Sequence, residues 1–129
     1  MEPVKCIFCN PDPSIIIARN AHAYARFDKY PVNPGHILII PHRHISTPFE
    51  LTDDDRDGIW DLLTEMREMV MNRYHPDGFN IGVNVGEAAG QTIKHLHVHL
   101  IPRYRGDTKN PRGGVRGVIP EKQDYSVEE

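Results

Sequence analysis

The chain has 129 residues, of which 39% are hydrophobic and 26% charged, and its formal net charge is −3. That length and composition are typical of one globular domain with its own core, not of a disordered chain. The negative charge balance argues against general nucleic-acid binding. No apolar run approaches the roughly 20 residues that span a membrane, and the N-terminal stretch MEPVKCIFCN lacks the apolar segment of a signal peptide. We therefore expect a cytoplasmic protein.

The first third of the chain predicts three strands. SIIIARN at 14–20 and HAYARFD at 22–28 are two such segments, with a turn at Asn20-Ala21. Residues 30–36 contain two prolines and a glycine, which predict a loop. The apolar run HILIIP at 36–41 is too short for a helix and predicts the third strand, which its proline ends.

One long helix is predicted between residues 51 and 78. Thr52 is a good N-cap, and the three aspartates that follow it suit the positive end of a helix. Pro76 and Gly78 end the helix. Between these limits, apolar side chains recur every three or four residues and form one stripe, which consists of Ile59, Leu62, Leu63, Met66, Met69 and Val70.

Two more strands complete the predicted fold. FNIGVNV at 79–85 alternates as a strand, GEAAGQ at 86–91 predicts a turn, and TIKHLHVHLIP at 92–102 predicts the last strand. Strands on both sides of a single helix favour an α+β fold with an antiparallel sheet of about five strands. We expect one domain over residues 1–129, with an irregular tail from residue 103 to the end.

Three histidines alternate with apolar residues in HLHVH. Because side chains alternate across a strand, His95, His97 and His99 share one face, with neighbouring imidazoles roughly 6.5–7 Å apart. Three interpretations are possible. The face is a polar surface that happens to use histidine, or it is a three-histidine catalytic zinc site, or it carries out nucleophilic catalysis. In the last case a neutral imidazole attacks phosphorus, and the flanking histidines orient it and carry protons.

Cys6 and Cys9 are the only cysteines, at CxxC spacing. In a reducing compartment this spacing suggests metal binding or redox chemistry more than a structural disulfide. No βαβ pattern surrounds the pair, which weakens the redox interpretation. A four-coordinate zinc site needs two more ligands.

Basic side chains concentrate in the last third of the chain. Between residues 91 and 116 the only acid is Asp107. Such a segment is either the binding region for a small anionic ligand or a solvated loop. The basic residues are Lys94, Arg103, Arg105, Lys109, Arg112 and Arg116.

The histidine segment resembles the signature of the histidine triad (HIT) family, in which three histidines alternate with apolar residues and a further apolar pair closes the motif. HLHVHLI at 95–101 matches it in full, the match extends upstream through EAAGQTIK, and PVNPGHILIIPHRHI resembles the family's other strand. The resemblance covers roughly Cys6 to Arg103. It implies a HIT-like sheet with one long helix, a short N-terminal helical segment, and transfer or hydrolysis of nucleotidyl groups.

The resemblance implies a catalytic role for three histidines of this chain. His97 would attack the α-phosphate of a nucleotide derivative and form a covalent nucleotidyl-histidine, which water then hydrolyses. His99 would contact the phosphate and help set the state of His97. His36 would be the accessory histidine near the same phosphate. No magnesium motif is evident, so no catalytic metal is required.

The same resemblance implies a set of substrate-binding residues. Asp28 would bond the ribose hydroxyls, and Asn84 would contact the phosphate or leaving group. Gln91 and Thr92 would lie within reach of the α-phosphate and leaving group. The candidates for base contact are Ile7, Phe8 and Phe27. For the two phenylalanines, plain core packing is an equally good interpretation.

Some branches of the family carry CxxC together with a histidine after the IIP strand and the first histidine of the triad. Here the implied set is Cys6, Cys9, His44 and His95, a Cys₂His₂ structural zinc site. His42 is the nearby competitor of His44, and its place in PHRHIS favours His44. With zinc on His95, that histidine is structural, and the other two carry the chemistry.

The resemblance favours dinucleoside polyphosphates such as diadenosine tetraphosphate as substrates, and it also implies a homodimer. The alternatives are a purine nucleoside phosphoramidase, a dinucleoside polyphosphate phosphorylase and a non-catalytic nucleotide-binding regulatory module. The tail arginines either bind a polyphosphate leaving group or contact carboxylates of the same chain.

Overall fold

Five antiparallel strands form one sheet in the computed structural model, which describes residues 6–126. The sheet order is β1-β2-β3-β5-β4, and one long helix, α1, covers one face. The α+β fold predicted from the sequence is confirmed. No helix in the described part of the chain is long and apolar enough to cross a membrane. The elements are β1 (Ala18–Arg19), β2 (Ala23–Phe27), β3 (Ile37–Pro41), α1 (Asp53–Tyr74), β4 (Gly78–Gly82) and β5 (Val98–Arg103).

The two faces of the sheet bury different sets of side chains. On the helix face, alternate residues of three strands pack against α1, among them Ala25, Ile39 and Leu100. On the opposite face, a smaller apolar cluster forms around Tyr24, Leu38, Ile40 and Phe8. This is the period-two alternation of a pleated strand, seen most directly along β3, whose five residues are all buried. The histidines belong to the second face.

Helix α1 begins and ends close to where the sequence predicts. The hydroxyl of Thr52 accepts a hydrogen bond from Asp55 N–H, and the Asp55 side chain accepts one from the Thr52 N–H, which together form a capping box. The helix ends at Tyr74, and His75 takes the left-handed conformation with φ of 54°. A residue before proline avoids the helical region, so His75 leaves the helix and the last helical residue lies two positions before Pro76.

The structure differs from the prediction in the length of the first and last strands. Residues 14 and 15, predicted as strand, belong instead to a 3₁₀ turn, Pro13–Ile15, with proline at its first position, and Asp12 caps it by accepting from Ser14 N–H. The last strand begins at Val98, not at residue 92, because the preceding residues do not pair with β3; the Leu96 N–H instead bonds the carbonyl of Ile45, in the loop after β3. β4 likewise ends at Gly82, three residues before the predicted end.

The described part of the tail after β5 is irregular apart from two 3₁₀ turns, at 114–118 and 120–122. Arg103 pairs with Asp107 and donates to Asn80, so this arginine contacts a carboxylate of its own chain. Arg112 and Arg116 instead donate to backbone carbonyls of the tail and lie over the Tyr125 ring. The Arg103 contact is of the kind that the second interpretation expects, in which tail arginines contact carboxylates of the same chain, whereas Arg112 and Arg116 contact backbone carbonyls and an aromatic ring.

An ion pair joins the start of α1 to the loop that follows β3. Arg43 donates to Asp55 from Nε at 3.1 Å and from Nη2 at 2.7 Å, and the Asp55 side chain is 6% exposed. Burial alone would raise the pKa of Asp55, but hydrogen bonds from Arg43 and Thr52 lower that pKa to about 2. The carboxylate therefore fixes the loop residue that stands between His42 and His44.

Replacing this carboxylate should reduce stability in a pH-dependent way. A folded-state pKa below the unfolded value of about 3.9 gives a stabilisation that is present above pH 4 and lost as the pH falls toward 2. Asp55→Asn should therefore lower the free energy of unfolding at pH 7 by about 2 kcal/mol and flatten its dependence on pH between 4 and 2. Urea denaturation across this range measures both effects. Asp54→Asn, an exposed change in the same helical turn, is the control, and parallel pH curves for wild type and Asp55→Asn would contradict the account.

Candidate active site and metal cluster

A cavity of about 280 Å³ opens on the sheet face opposite α1. Its walls come from the N-terminal segment, from β2 and the loop after it, and from the segment that carries the histidines. Of the predicted site residues it brings together Ile7, Phe8, Asp28, Asn84, Thr92, His97 and His99. Arg26, Lys29, Tyr30, Leu38, Gly90 and Ile93 complete the lining.

His97 holds one tautomer through the backbone. Its Nδ1 lies 2.8 Å from the carbonyl oxygen of His95, and only an N–H can donate to that oxygen. In the neutral ring the proton is therefore on Nδ1, and Nε2 carries a free lone pair. The rings of Phe8 and His99 stand edge-on to it, each with its centroid 5.1 Å away. His97 thus presents a nucleophilic nitrogen beside a second imidazole.

His99 holds the opposite tautomer, through a chain of two hydrogen bonds. The Val32 backbone N–H donates to His36 Nδ1 at 3.0 Å, so in neutral His36 the proton is on Nε2. That nitrogen lies 2.9 Å from Nδ1 of His99, which must then accept, leaving the His99 proton on Nε2. His99 is therefore a hydrogen-bond donor at the cavity, next to the lone pair of His97.

Burial keeps both supporting histidines neutral. The pKa of His99 is lowered to about 4, first by burial and then by the neighbouring imidazoles of His97 and His36. The pKa of His36 is lowered by burial, which outweighs the opposing effect of Asp28. The Asp28 carboxylate lies 3.4 Å from His36 Nε2 and 4.0 Å from His99 Nδ1, and its other oxygen accepts from Tyr30 N–H at 2.9 Å.

Gln91 is placed differently from the expectation. Its side chain is buried, and its Oε1 accepts from Gly86 N–H at 2.9 Å. Its Nε2 donates to the carbonyls of Ser46 and Ile93. The amide therefore closes the 86–91 turn, where Gly86 and Gly90 have φ of 87° and 91°, and it does not line the cavity. Thr92, the next residue, does line it.

Phe27 also lies away from the cavity, and the residue before it takes its place. Phe27 packs into the core on the helix face, against Tyr74. The alternation of β2 turns Arg26 and Asp28 to the opposite face instead. Phe8 is 3% exposed and lies in the small core while also lining the cavity, so both interpretations of that residue apply. Since side chains two apart on a strand share a face, the sequence position of Arg26 relative to Asp28 was the signal that could have identified it.

Four potential metal ligands converge beside the histidine segment. The ligand atoms of Cys6, Cys9, His44 and His95 all lie within 4.8 Å of one another. Cys9 Sγ is 3.1 Å from His44 Nδ1, Cys6 Sγ is 3.3 Å from His95 Nδ1, and the two Nδ1 atoms are 3.2 Å apart. Zn–S bonds of about 2.3 Å and Zn–N bonds of about 2.0 Å give tetrahedral ligand separations of about 3.3–3.8 Å, so this donor set fits zinc.

The tautomer of His95 suits a metal ligand as well. Its Nε2 lies 2.8 Å from the carbonyl oxygen of Pro41 and donates to it, which leaves Nδ1 free to bind a cation. His42, the competitor of His44, is used elsewhere. Its Nε2 lies 3.0 Å from the Asn20 carbonyl, and its ring stacks on Tyr24. The structure thus brings together the four predicted residues and leaves His42 out.

A family model described as the HIT domain matches residues 10–106. The chain belongs to the HIT family. The resemblance inferred from the histidine motif is confirmed, and the long helix α1 and the five-stranded sheet of the described residues are consistent with that fold.

Two curated relatives carry enzyme names. An AP-4-A phosphorylase of Mycobacterium tuberculosis is 36% identical over 97 residues, which cover 74% of this chain and 50% of the relative. The chain therefore spans about half the length of that relative. A bis(5'-adenosyl)-triphosphatase of Dictyostelium discoideum is 30% identical over 107 residues, covering 83% of this chain and 72% of the relative. Nucleotide-processing enzymes are thus named among its homologues.

One of the similar solved structures is of a Zn-bound protein. A Zn-bound histidine triad family protein from Mycobacterium smegmatis superposes with a TM-score of 0.71 at 29% identity, covering 81% of this chain and 79% of that one. In this chain, the four-residue cluster can hold a metal ion.

The protonation of His99 can be measured directly. Because its folded-state pKa is about 4, the His99 ring should stay neutral from pH 7.5 to 5, with the proton on Nε2. The unfolded ring binds a proton near pH 6.5, so His99 also makes the fold less stable as the pH falls from 6.5 to 4. Long-range ¹H–¹⁵N spectra, assigned by comparison with His99→Asn, report the ring nitrogens. A titration of the His99 signals centred near pH 6.5 would contradict the buried neutral state.

Proposed function

We propose that the protein transfers or hydrolyses nucleotidyl groups through a covalent nucleotidyl-histidine on His97. The observation that supports this most is the pairing, at one cavity, of two imidazoles whose neutral forms have opposite tautomers. His97 offers a lone pair on Nε2, and His99 offers an N–H beside it. Phosphoryl chemistry needs a nucleophile in place and a donor for the charge that develops on phosphorus oxygens.

The reaction follows in two steps. Nε2 of His97 attacks the α-phosphorus, a P–N bond forms, and the bond from phosphorus to the leaving-group oxygen breaks. During attack the imidazole becomes cationic, and the His95 carbonyl stabilises it by accepting from Nδ1–H. Water then attacks phosphorus, the P–N bond breaks, a nucleoside monophosphate leaves, and His97 regains its lone pair. His99 Nε2–H donates to a phosphate oxygen in both steps.

The side chains of the cavity support a nucleotide as the substrate. Asp28 keeps one oxygen directed to the histidines and can bond ribose hydroxyls, while Asn84 and Thr92 supply polar groups near the phosphate. Ile7, Phe8, Leu38 and Ile93 offer apolar walls for a base. His36 acts on the phosphate through His99, and Gln91 supports the turn next to Thr92. These assignments of individual residues are part of the proposal.

We favour dinucleoside polyphosphates such as diadenosine tetraphosphate as substrates, because the names of two relatives carry this substrate class. A phosphorylase would use phosphate in place of water in the second step. A phosphoramidase would expel an amine instead of a phosphate in the first. A regulatory module without turnover would bind nucleotide in the same cavity.

We also propose that zinc binds at Cys6, Cys9, His44 and His95. The metal would supply a structural tie between the N-terminal segment and the histidine segment, since His95 is a member of the cluster and lies two residues before His97. A redox role for the CxxC pair is the alternative. The homodimer and the cytoplasmic location stay predictions from the sequence.

The first test traps the intermediate. A rapidly quenched reaction with diadenosine tetraphosphate should raise the intact protein mass by one AMP in wild type and in the control His42→Ala, but not in His97→Ala. Turnover of His97→Ala should fall by on the order of 10⁴-fold, because removing a nucleophile disables the whole catalytic unit. Turnover that survives in His97→Ala would exclude the nucleophilic role of His97.

Product analysis separates the alternatives within the family. Hydrolysis gives a nucleoside monophosphate whether or not phosphate is present, whereas phosphorolysis gives a nucleoside diphosphate and depends on phosphate. Faster cleavage of a nucleoside phosphoramidate than of diadenosine tetraphosphate would favour the phosphoramidase. Binding of nucleotides with no turnover of any of these compounds would favour the regulatory module.

Metal analysis tests the zinc proposal with a matched pair of histidines. Wild type and His42→Ala should each retain about one zinc per chain after dialysis, while His44→Ala should retain much less and melt at a lower temperature, because a ligand is lost. Chelation should abolish activity slowly, through loss of stability. Wild-type protein that holds no zinc and forms a Cys6–Cys9 disulfide would support the redox alternative instead.

A further inference from the structure

Arg26 is a charged side chain in an otherwise largely apolar part of the cavity. It lies on β2 between Ala25 and Phe27, which both face the helix, so the pleat turns Arg26 to the opposite face. There it lines the cavity together with Leu38 and Asp28. It is half-buried. A guanidinium in such a position needs partners, because burying a charge without them costs free energy.

The sheet register fixes the distance between Arg26 and the reacting end of the cavity. Arg26 pairs with Leu38 on β3, and Leu38 pairs with His99 on β5. Two strand spacings of about 4.8 Å therefore separate the backbones of Arg26 and His99. Leu38 lies between them as the floor of the cavity. A nucleotide with its α-phosphate at His99 and its base over Leu38 would direct the far edge of the base to Arg26.

The terminal nitrogens of Arg26 are available to a ligand. Its Nε donates to the Phe27 carbonyl at 3.1 Å. Within residues 6–126, no hydrogen bond to protein is found for Nη1 or Nη2, and no carboxylate pairs with this guanidinium. Lys29 adds a second positive charge to the lining, and the nearby Asp28 carboxylate faces Tyr30 N–H and His36 instead. The part of the cavity beside Leu38 thus has a guanidinium whose two terminal nitrogens can donate to a ligand.

We propose that Arg26 selects guanine over adenine as the base bound in this cavity. Guanine presents two acceptors side by side, O6 and N7, which the planar fork of an arginine can bond together. Adenine presents an amino donor in place of O6, which the guanidinium and Lys29 disfavour. The proposal rests on the proposed function only in taking the cavity as a nucleotide site. It names the base that this site prefers.

Binding of mononucleotides tests the selectivity without relying on turnover. Calorimetric titration of wild type with GMP and with AMP should give tighter binding of GMP by about 5- to 150-fold, the discrimination expected of one bidentate pair. Arg26→Leu should bring the two affinities within about 2-fold of each other. Arg19→Leu removes an exposed arginine on β1 and should retain the wild-type preference.

A third variant separates the fork from its charge. Arg26→Lys keeps a positive charge but cannot bond O6 and N7 together in one plane. We expect it to lose most of the preference. The full GMP preference in Arg26→Lys would overturn bidentate recognition. Melting curves of both Arg26 variants test whether they fold. If a variant does not fold, the ratio of the GMP and AMP affinities in wild type still decides the proposal.

The outcomes distinguish this inference from the proposed function. Equal wild-type affinities for GMP and AMP, or tighter binding of AMP, would overturn guanine selectivity, whatever the enzyme does. Tighter binding of GMP without any nucleotidyl adduct on His97 would support the selectivity and reject the catalytic proposal. Failure to bind either nucleotide would reject both. With turnover established, diguanosine tetraphosphate should also exceed diadenosine tetraphosphate in kcat/KM by a similar factor.

Discussion

The hydrogen bond from His97 Nδ1–H to the carbonyl of His95 is the interaction on which the candidate site depends. His95, whose carbonyl accepts this bond, is itself held at both ring nitrogens. Its Nε2 donates to the Pro41 carbonyl, and its Nδ1 faces the two cysteines and His44. A histidine fixed in this way has little freedom to move its own backbone. The four potential metal ligands are thus coupled to the His97 ring through the backbone of His95, without lining the cavity.

The position of this peptide is set by the elements around it. The Arg43–Asp55 pair ties the loop of His44 to the first turn of α1, and Leu96 N–H bonds Ile45 on the same loop at 2.7 Å. The cluster, the loop and the helix start therefore form one connected unit. On the other side, the Gln91 side chain closes the turn that precedes Thr92. The chain between residues 91 and 97 is therefore held at its start by the Gln91 side chain and near its end by the loop of His44, before β5 begins at Val98.

Much of this arrangement is predictable from the sequence, and the exceptions have physical causes. Thr52, the apolar stripe of α1 and the one-face grouping of the histidines follow from local periodicity, and the four metal-cluster residues follow from the family pattern. The orientation of Gln91 and Phe27 does not. The sequence around Gln91 is compatible with an amide that closes the turn and with one that faces a ligand. For Phe27, a strand predicted without its register does not show which of two neighbouring side chains faces the cavity. Phe27 was a candidate because aromatic rings contact bases, but the pleat of β2 turns Arg26 to the cavity instead.

Two identical side chains present a lone pair and an N–H because the backbone gives them opposite tautomers, and the proposed roles of nucleophile and donor rest on this difference. A carbonyl fixes the proton of His97 on Nδ1, and the Val32 N–H, acting through His36, fixes that of His99 on Nε2. If both rings were cationic, neither would have a lone pair, and the low pKa of His99 prevents this near neutral pH. Burial therefore does more here than stabilise the core. It keeps His99 neutral, so that the direction of its hydrogen bonds decides which nitrogen is left to face the cavity.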